Sequence, residues 1–307
     1  MLRRWKEDIS NLWIEQYFAD VDVQKLTDGK YNCITQYRKV LYFSIYDVDT
    51  GKVKRIEKIG YVMSLSTEQH MSSASFLDVD IIIFEEFMER GNYIPHEPDR
   101  LMIFYSTIDR KRGTTKLFMV GNSISKVCPY IKEWGLNDIF RKLNQGEIKT
   151  KEIQNEENKV TIAIEFCKSS GGKTMAIGNA SSMIDKGSWQ TYPQPKLPKN
   201  YNEYEILYSF GFSYQGFKFE CKYMIDTETS DTFFYIYPKT KDFKENEIIF
   251  SDEIKTTMYY QRDIYNISIK NDKLKNLFSN FKENKIFYSS DLCGTDFKQV
   301  IDFIIRK

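Results

Sequence analysis

The sequence predicts an α/β protein: an open sheet flanked by helices, followed by a smaller strand-rich α+β region. Two continuous apolar runs, VDIIIF (79–84) and KLFMVGN (116–122), have the texture of parallel strands buried on both faces. Between them PDRLMIFYSTIDRK (98–111) reads as a helix, with Pro98 suited to its first turn. Strand, helix and strand in that order is the α/β pattern. Beyond residue 200 the texture changes. EYEILYSFGFSYQGFKFECKYMID and TFFYIYP alternate and are rich in Tyr and Phe, as antiparallel strands are.

The elements follow in order. Residues 6–20 place Ile9, Leu12, Trp13, Tyr17 and Phe18 near one helical stripe. VLYFSIYD (40–47), the TGK turn at 50–52 and VKRIEKIGYVMSL (53–65) make a β-hairpin. A helix around 129–142 closes the first half. At 145–158 the chain turns polar and charged (QGEIKTKEIQNEEN), which reads as a loop or linker. A second break, YPQPKLPKN (192–200), holds three of the seven prolines, and no helix can cross it. The chain ends on a short helix, FKQVIDFIIRK. The expected organisation is a domain over 1–145, a connector over 146–200 and a small C-terminal domain over 201–307.

Composition excludes several chemistries. Five scattered cysteines form no C-x-x-C pair, which argues against a zinc site or a disulfide framework and suits a reducing compartment. With only two histidines, a histidine base or ligand set is not expected. No apolar run approaches the ~18 residues that span a bilayer, so no membrane partner is expected. The net charge of +1 confines any nucleic-acid contact to local basic surface.

The chemical signals lie in the first half. DVDIIIFEEF (78–87) has the Walker B form of an NTPase, an apolar strand delivering paired carboxylates. Glu85 is assigned to a metal ion and Glu86 to the attacking water. A hydrophobic strand ending in acids is also a common structural pattern. KLFMVGNSIS (116–125) ends an adjacent strand at Asn122, where NTPases of the additional-strand class sense the γ-phosphate; the other reading is an ordinary turn asparagine. DRKRG (109–113) lies between them. Arg110 and Arg112 have the reach of arginine fingers, or form a solvated basic helix end.

The order and spacing of these signals resemble a known family. SASFLDVDIIIFEEFMERGNYIP and FYSTIDRKRGTTKLFMVGNSISKVCPYI are similar to the DNA encapsidation (genome-packaging) ATPases of small tailed bacteriophages, compact relatives of the terminase large subunit. LRRWKEDISNLWIEQYFADV and IGYVMSLSTEQHMSSA extend the resemblance over residues 1–140, and FSNFKENKIFYSSD resembles the family's small C-terminal domain. The resemblance implies a P-loop NTPase-type open sheet of the additional-strand class. It also implies Mg²⁺ and ATP as cofactors, and a homo-oligomeric ring that docks on the phage portal of a procapsid and drives double-stranded DNA inward in the host cytoplasm. By position, Glu85 and Glu86 match the Walker B acids, Asn122 the coupling residue and Arg110 the trans-acting arginine. Arg3 and Arg4 match nucleotide-proximal arginines after the second core strand. Glu85 departs from the family's usual aspartate.

The family's Walker A loop precedes the LRRWKED segment by about thirty residues, and none occurs between residues 1 and 78. The sheet is therefore expected to be N-terminally incomplete and the chain inactive as an ATPase. CKSSGGKT (167–174) is a partial match to G-x-x-x-x-G-K-[ST], but Cys167 stands at the position that requires glycine. The resemblance implies instead a basic connector in which Lys168 and Lys173 contact DNA or subunits. The C-terminal domain reads as a degenerate RNase H-like or docking module; Asp226, Asp231, Asp291 and Asp296 sit mostly in turn-like contexts. Two further functions stay open: a non-enzymatic DNA- or portal-binding subunit, and a metal-dependent nuclease.

Overall fold

The computed structural model describes residues 1–71, 75–89, 93–155, 158–168, 189, 191–244, 247–253, 261–264 and 272–305. It divides into two compact units, Met1–Asn122 and Ser123–Lys307.

The first unit begins with β1 (Leu2–Arg3), α1 (Asn11–Tyr17) and α2 (Val23–Leu26), followed by β2 (Cys33–Tyr37), β3 (Val40–Asp47), β4 (Lys52–Tyr61) and β5 (Met63–Ser64). It closes with β6 (Ile81–Glu85), α3 (Glu97–Asp109) and β7 (Lys116–Val120). Strands β2, β3 and β4 form the expected hairpin plus one strand, all antiparallel. The other four form a parallel sheet in the order β5-β1-β6-β7. The first helix is shorter than the apolar stripe over 6–20 implies. Ser10 is extended and its side chain accepts the Trp13 N–H at 3.1 Å, so the helix starts there.

Among the described residues β6 and β7 are packed on one face, which departs from the expectation of burial on both. Leu2, Ile82 and Phe84 are buried, together with Leu101, Phe104 and Ile108 of α3. Alternate residues point the other way. There Ile81 is 53% exposed, Ile83 39%, Phe118 51% and Val120 47%.

The second unit opens with α4 (Pro129–Glu133), α5 (Asn137–Lys142) and an antiparallel pair, β8 (Ile148–Asn155) and β9 (Asn158–Glu165). The charged segment expected to be a linker is thus largely this two-stranded ribbon. Then come β10 (Tyr204–Tyr214), β11 (Phe217–Asp226), β12 (Thr232–Pro238), β13 (Ile249–Ser251), β14 (Gln261–Asp263), α6 (Asp272–Lys282), β15 (Ile286–Tyr288) and α7 (Asp291–Ile305). The sheet order is β14-β13-β10-β11-β12-β15; β10, β11 and β12 are antiparallel neighbours, and β13, β14 and β15 join in parallel. The β10–β11 turn is two residues long, with positive φ at Gln215 (49°) and Gly216 (78°), the geometry that matches strand twist in a tight hairpin. Phe212, Phe234, Phe250 and Phe297 are fully buried in one cluster with Tyr214 and Tyr288.

The units divide between residues 122 and 123, whereas the sequence places the limit at 145. The reason is packing. Val127 is buried within the C-terminal cluster, and Lys132 Nζ donates to Asp252 Oδ2 at 2.8 Å.

Candidate functional site

In an open parallel sheet, ligands gather at the carboxyl ends of strands where successive connections depart in opposite directions. Here the chain leaves β1 toward β5 on one side and leaves β6 toward β7 on the other. The switch point lies between β1 and β6, paired at Leu2 and Phe84. The residues that follow that pair are Arg3 and Arg4 on one strand and Glu85 and Glu86 on the other.

Glu85 is the last residue of β6 and is 8% exposed. Glu86 turns out of the strand with φ of 53°, so the two carboxylates do not alternate across the sheet as strand neighbours would. They converge on one guanidinium. Arg3 Nη1 donates to Glu85 Oε2 at 3.4 Å, and Nη2 donates to Glu86 Oε2 at 2.7 Å. The Arg3 guanidinium lies 4.8 Å from the Trp13 ring centroid. Partial burial and the nearby Glu85 carboxylate push the Tyr17 phenol up to about 12. Both aromatic residues come from α1, whose stripe reads in the sequence as core alone.

Arg4 faces the opposite way. It is 2% exposed, and its Nε donates to both carboxylate oxygens of Glu97 at 3.0 and 2.8 Å. Its other nitrogens donate to the Glu86 carbonyl at 3.0 Å and the Phe87 carbonyl at 2.9 Å. Arg4 therefore fixes the backbone just after the acid pair, and its donors point into protein. Glu97, which no motif marks, also accepts the Ile94 N–H at 2.8 Å.

Asn122 is exposed two residues past β7, on the same sheet edge as Glu85, which pairs with Val120. Gly121 beside it is tightly placed: a Cβ there would lie 3.2 Å from the Phe87 ring. Arg110 is exposed and left-handed (φ 46°) at the end of α3. Arg112 is differently engaged: it donates to the carbonyls of Leu77 at 2.8 Å and Val79 at 2.6 Å, bracing the approach to β6. Asp109 accepts the backbone N–H groups of Gly113 and Thr115, which hold its carboxyl below the usual range.

Among the remaining candidates, Lys168 is exposed, and Lys173 with the rest of SSGGKT lies outside the described residues. The C-terminal aspartates fall on separate supports. Asp226 accepts N–H groups in its own turn and pairs with Lys199, and Asp291 pairs with Lys196 at the start of α7. Asp231 is exposed at the end of the Asp226 turn. Asp296 sits within α7, and burial, opposed by Lys126, pushes its carboxyl up to about 7. No group of three or more His, Cys, Asp and Glu able to hold a metal occurs among the described residues. None of the described helices is long and apolar enough to cross a membrane.

Magnesium is compatible with Glu85 and Glu86. It is commonly bound by one or two carboxylates with phosphate and water completing the shell, and these two already share one cation.

Two known proteins are similar in sequence, the DNA packaging proteins of Bacillus phage PZA and Bacillus phage phi29. Each is 27% identical over 147 residues, which cover 47% of this chain and 39% of theirs. The chain thus spans well under half the length of the curated relatives it matches. Among solved structures, the bacteriophage Phi-29 viral genome packaging motor assembly is similar with a TM-score of 0.49 and 17% identity, over 99% of this chain and 85% of that one. The Podovirus DNA encapsidation protein (Gp16) pattern runs from residue 2 to residue 294, nearly end to end, and the chain belongs to that family.

Proposed function

We propose that this chain is a subunit of a phage DNA-packaging motor and that the β1/β6 switch point is its ATP-hydrolysing centre. The observation that carries the reading is the convergence of Glu85 and Glu86 at the carboxyl end of β6, at 3.4 and 2.7 Å from one guanidinium. Glu85 would hold Mg²⁺, which when bound offsets the charge of the polyphosphate. Glu86, half exposed, orients and deprotonates the attacking water. Asn122 on the same edge reports the state of the γ-phosphate, and the exposed Arg110 is the residue offered to a neighbouring subunit in a ring. The motor acts on double-stranded DNA at the portal of a procapsid, in the host cytoplasm. Lys168 and Lys173 contribute DNA contacts. The C-terminal domain over 201–307, three antiparallel strands extended by parallel ones, serves as a degenerate RNase H-like or docking module.

No stretch of the 307 residues satisfies G-x-x-x-x-G-K-[ST]. The open apolar face of Ile81, Ile83, Phe118 and Val120 supports completion of the sheet by a further strand–loop–helix element that brings the phosphate loop. The test is ATP turnover by the purified chain, alone and joined to such an element. The expected result is negligible turnover alone, a gain of at least about tenfold on joining, and loss of that gain with Glu86→Gln. Turnover by the chain alone that Lys173→Ala abolishes would reassign the phosphate loop to CKSSGGKT. No gain on joining, with salt-sensitive DNA binding intact, would make the chain a non-enzymatic DNA-binding subunit.

A further inference from the structure

The connection between β2 and β3 is built from residues that suit its shape poorly. Tyr37 and Val40 pair across it, and both residues between them are left-handed, Arg38 with φ of 48° and Lys39 with φ of 67°. Two-residue turns of this kind favour Asn-Gly, because a side chain on a left-handed residue crowds its own backbone. Strain of this sort persists where the side chains themselves are used. Both cations are exposed.

Arg38 is joined by a second arginine. Its guanidinium lies 5.2 Å from the ring centroid of Tyr37, and that of Arg55 on β4 lies 4.9 Å from the same ring. Among the described residues neither guanidinium has a carboxylate partner. The neighbouring charges are engaged elsewhere: Glu57 accepts from the Tyr31 hydroxyl at 2.7 Å and from Lys30 at 3.4 Å, and Lys58 pairs with Asp78. Two guanidiniums held on one ring with their donors free suit planar anions such as carboxylates.

The face around them is open. Ile34 and Leu41 turn to the other side of the sheet and pack with Ile14 of α1. Val40, Tyr42, Ser44 and Tyr46 alternate onto the side of Tyr37, and Arg55 and Val53 pair with the last two. There Tyr37, Tyr46 and Val53 are all exposed. Tyr and Arg with an aliphatic neighbour is the make-up of a protein-binding surface. A phosphate backbone would leave Tyr46 and Val53 with nothing apolar to meet. A second copy of the same face would set arginine against arginine.

We propose that this open face of the β2–β3–β4 sheet is a docking surface for an acidic segment of a partner protein. Carboxylates of the segment take the free donors of Arg38 and Arg55, and its apolar side chains cover Tyr46 and Val53. The strained turn is kept because it holds Arg38 at the Tyr37 ring. The surface is separate from the acid pair, so it stands or falls independently of the ATPase reading.

The test is fluorescence anisotropy of the full chain with a labelled peptide of repeating Glu-Val-Asp-Ser, against a Lys-Val-Lys-Ser peptide and a DNA duplex. The acidic peptide should bind most tightly. Arg38→Asn with Lys39→Gly installs the favoured turn, so its thermal midpoint should hold or rise while peptide binding weakens at least about tenfold. Arg55→Gln, which leaves the turn untouched, should weaken the peptide severalfold. Unchanged peptide affinity in both variants overturns the proposal, as does tighter binding of the duplex with the same losses. A fall in the midpoint of the turn variant also overturns it, because the turn is then not strained.

Discussion

The two units use their hydrophobic residues in opposite ways. In the C-terminal unit the aromatic side chains turn inward: Phe212, Phe219, Tyr288 and Phe297 meet ring to ring, with Phe212 and Phe297 at 5.5 Å and Phe219 and Phe297 at 5.2 Å. In the N-terminal unit one apolar face of β6 and β7 stays exposed, and ionic contacts cluster at the strand ends. The sequence points the other way, since IIIF is wholly apolar whereas FKFECKYM alternates apolar and charged residues. The difference teaches where each unit is rigid. One buries its aromatic residues in a single centre; the other packs one sheet face on α3 and adds charge pairs at the strand ends.

The comparison breaks or sharpens on four substitutions. The largest effect is expected from Phe297→Ala, which empties the middle of the aromatic cluster and should cost about 4 kcal/mol in denaturant unfolding of the C-terminal unit. A cost below about 1 kcal/mol would mean that the cluster is not its centre. Next is Arg4→Ala. It leaves Glu97 buried without its cation, and a loss of about 3 kcal/mol should appear in the N-terminal unit alone.

A smaller effect separates the units by pH. The Asp296 carboxyl titrates at about 7 when folded, against 3.8 in the unfolded chain, because burial disfavours its charge. Between those values the unfolded chain has lost a proton that the folded one keeps, so stability falls as pH rises through that window. Asp296→Asn should flatten the fall and stabilise the C-terminal unit at pH 8 by about 2 kcal/mol, measured by urea titration at pH 4 and pH 8. Phe118→Ser is the smallest: on the open face it should cost less than about 0.5 kcal/mol by the same titration. A cost like that of Phe297→Ala would show the face to be covered in solution.

What was legible in the sequence follows from these differences. The strands β6 and β7 are visible because apolar runs persist for a full strand length. The hairpin of β3 and β4 is visible because TGK marks its turn. By contrast β1 is only two residues long, too short for any period, so its place at the centre of the sheet cannot be read. Burial on both faces is misjudged because Ile81 and Ile83 look the same whether or not a partner covers them. The ribbon of β8 and β9 is hidden by its charges, since a two-stranded ribbon buries little and tolerates Lys and Glu throughout. At the site, the acid pair is legible from DVDIIIFEEF, whereas its charge partner is legible only as one of two adjacent arginines. Neighbouring residues of an extended chain face opposite ways, so one arginine at most can reach the acids. Which one depends on the burial of Glu97, a residue no motif marks.

The left-handed backbone at Glu86 bears on how this position tolerates change in a mutational library. Under the proposed function two filters act on one codon: the carboxylate would serve chemistry, while φ of 53° serves the fold. Asn and Gly satisfy the second filter and fail the first, so they are clean chemical knockouts. Val, Ile and Thr fail both, because β-branching is poorly accommodated in that conformation, and any loss of the proposed activity would mix a backbone effect with a chemical one. A scan scored for both abundance and activity should therefore split the substitutions at residue 86 into two groups along backbone preference.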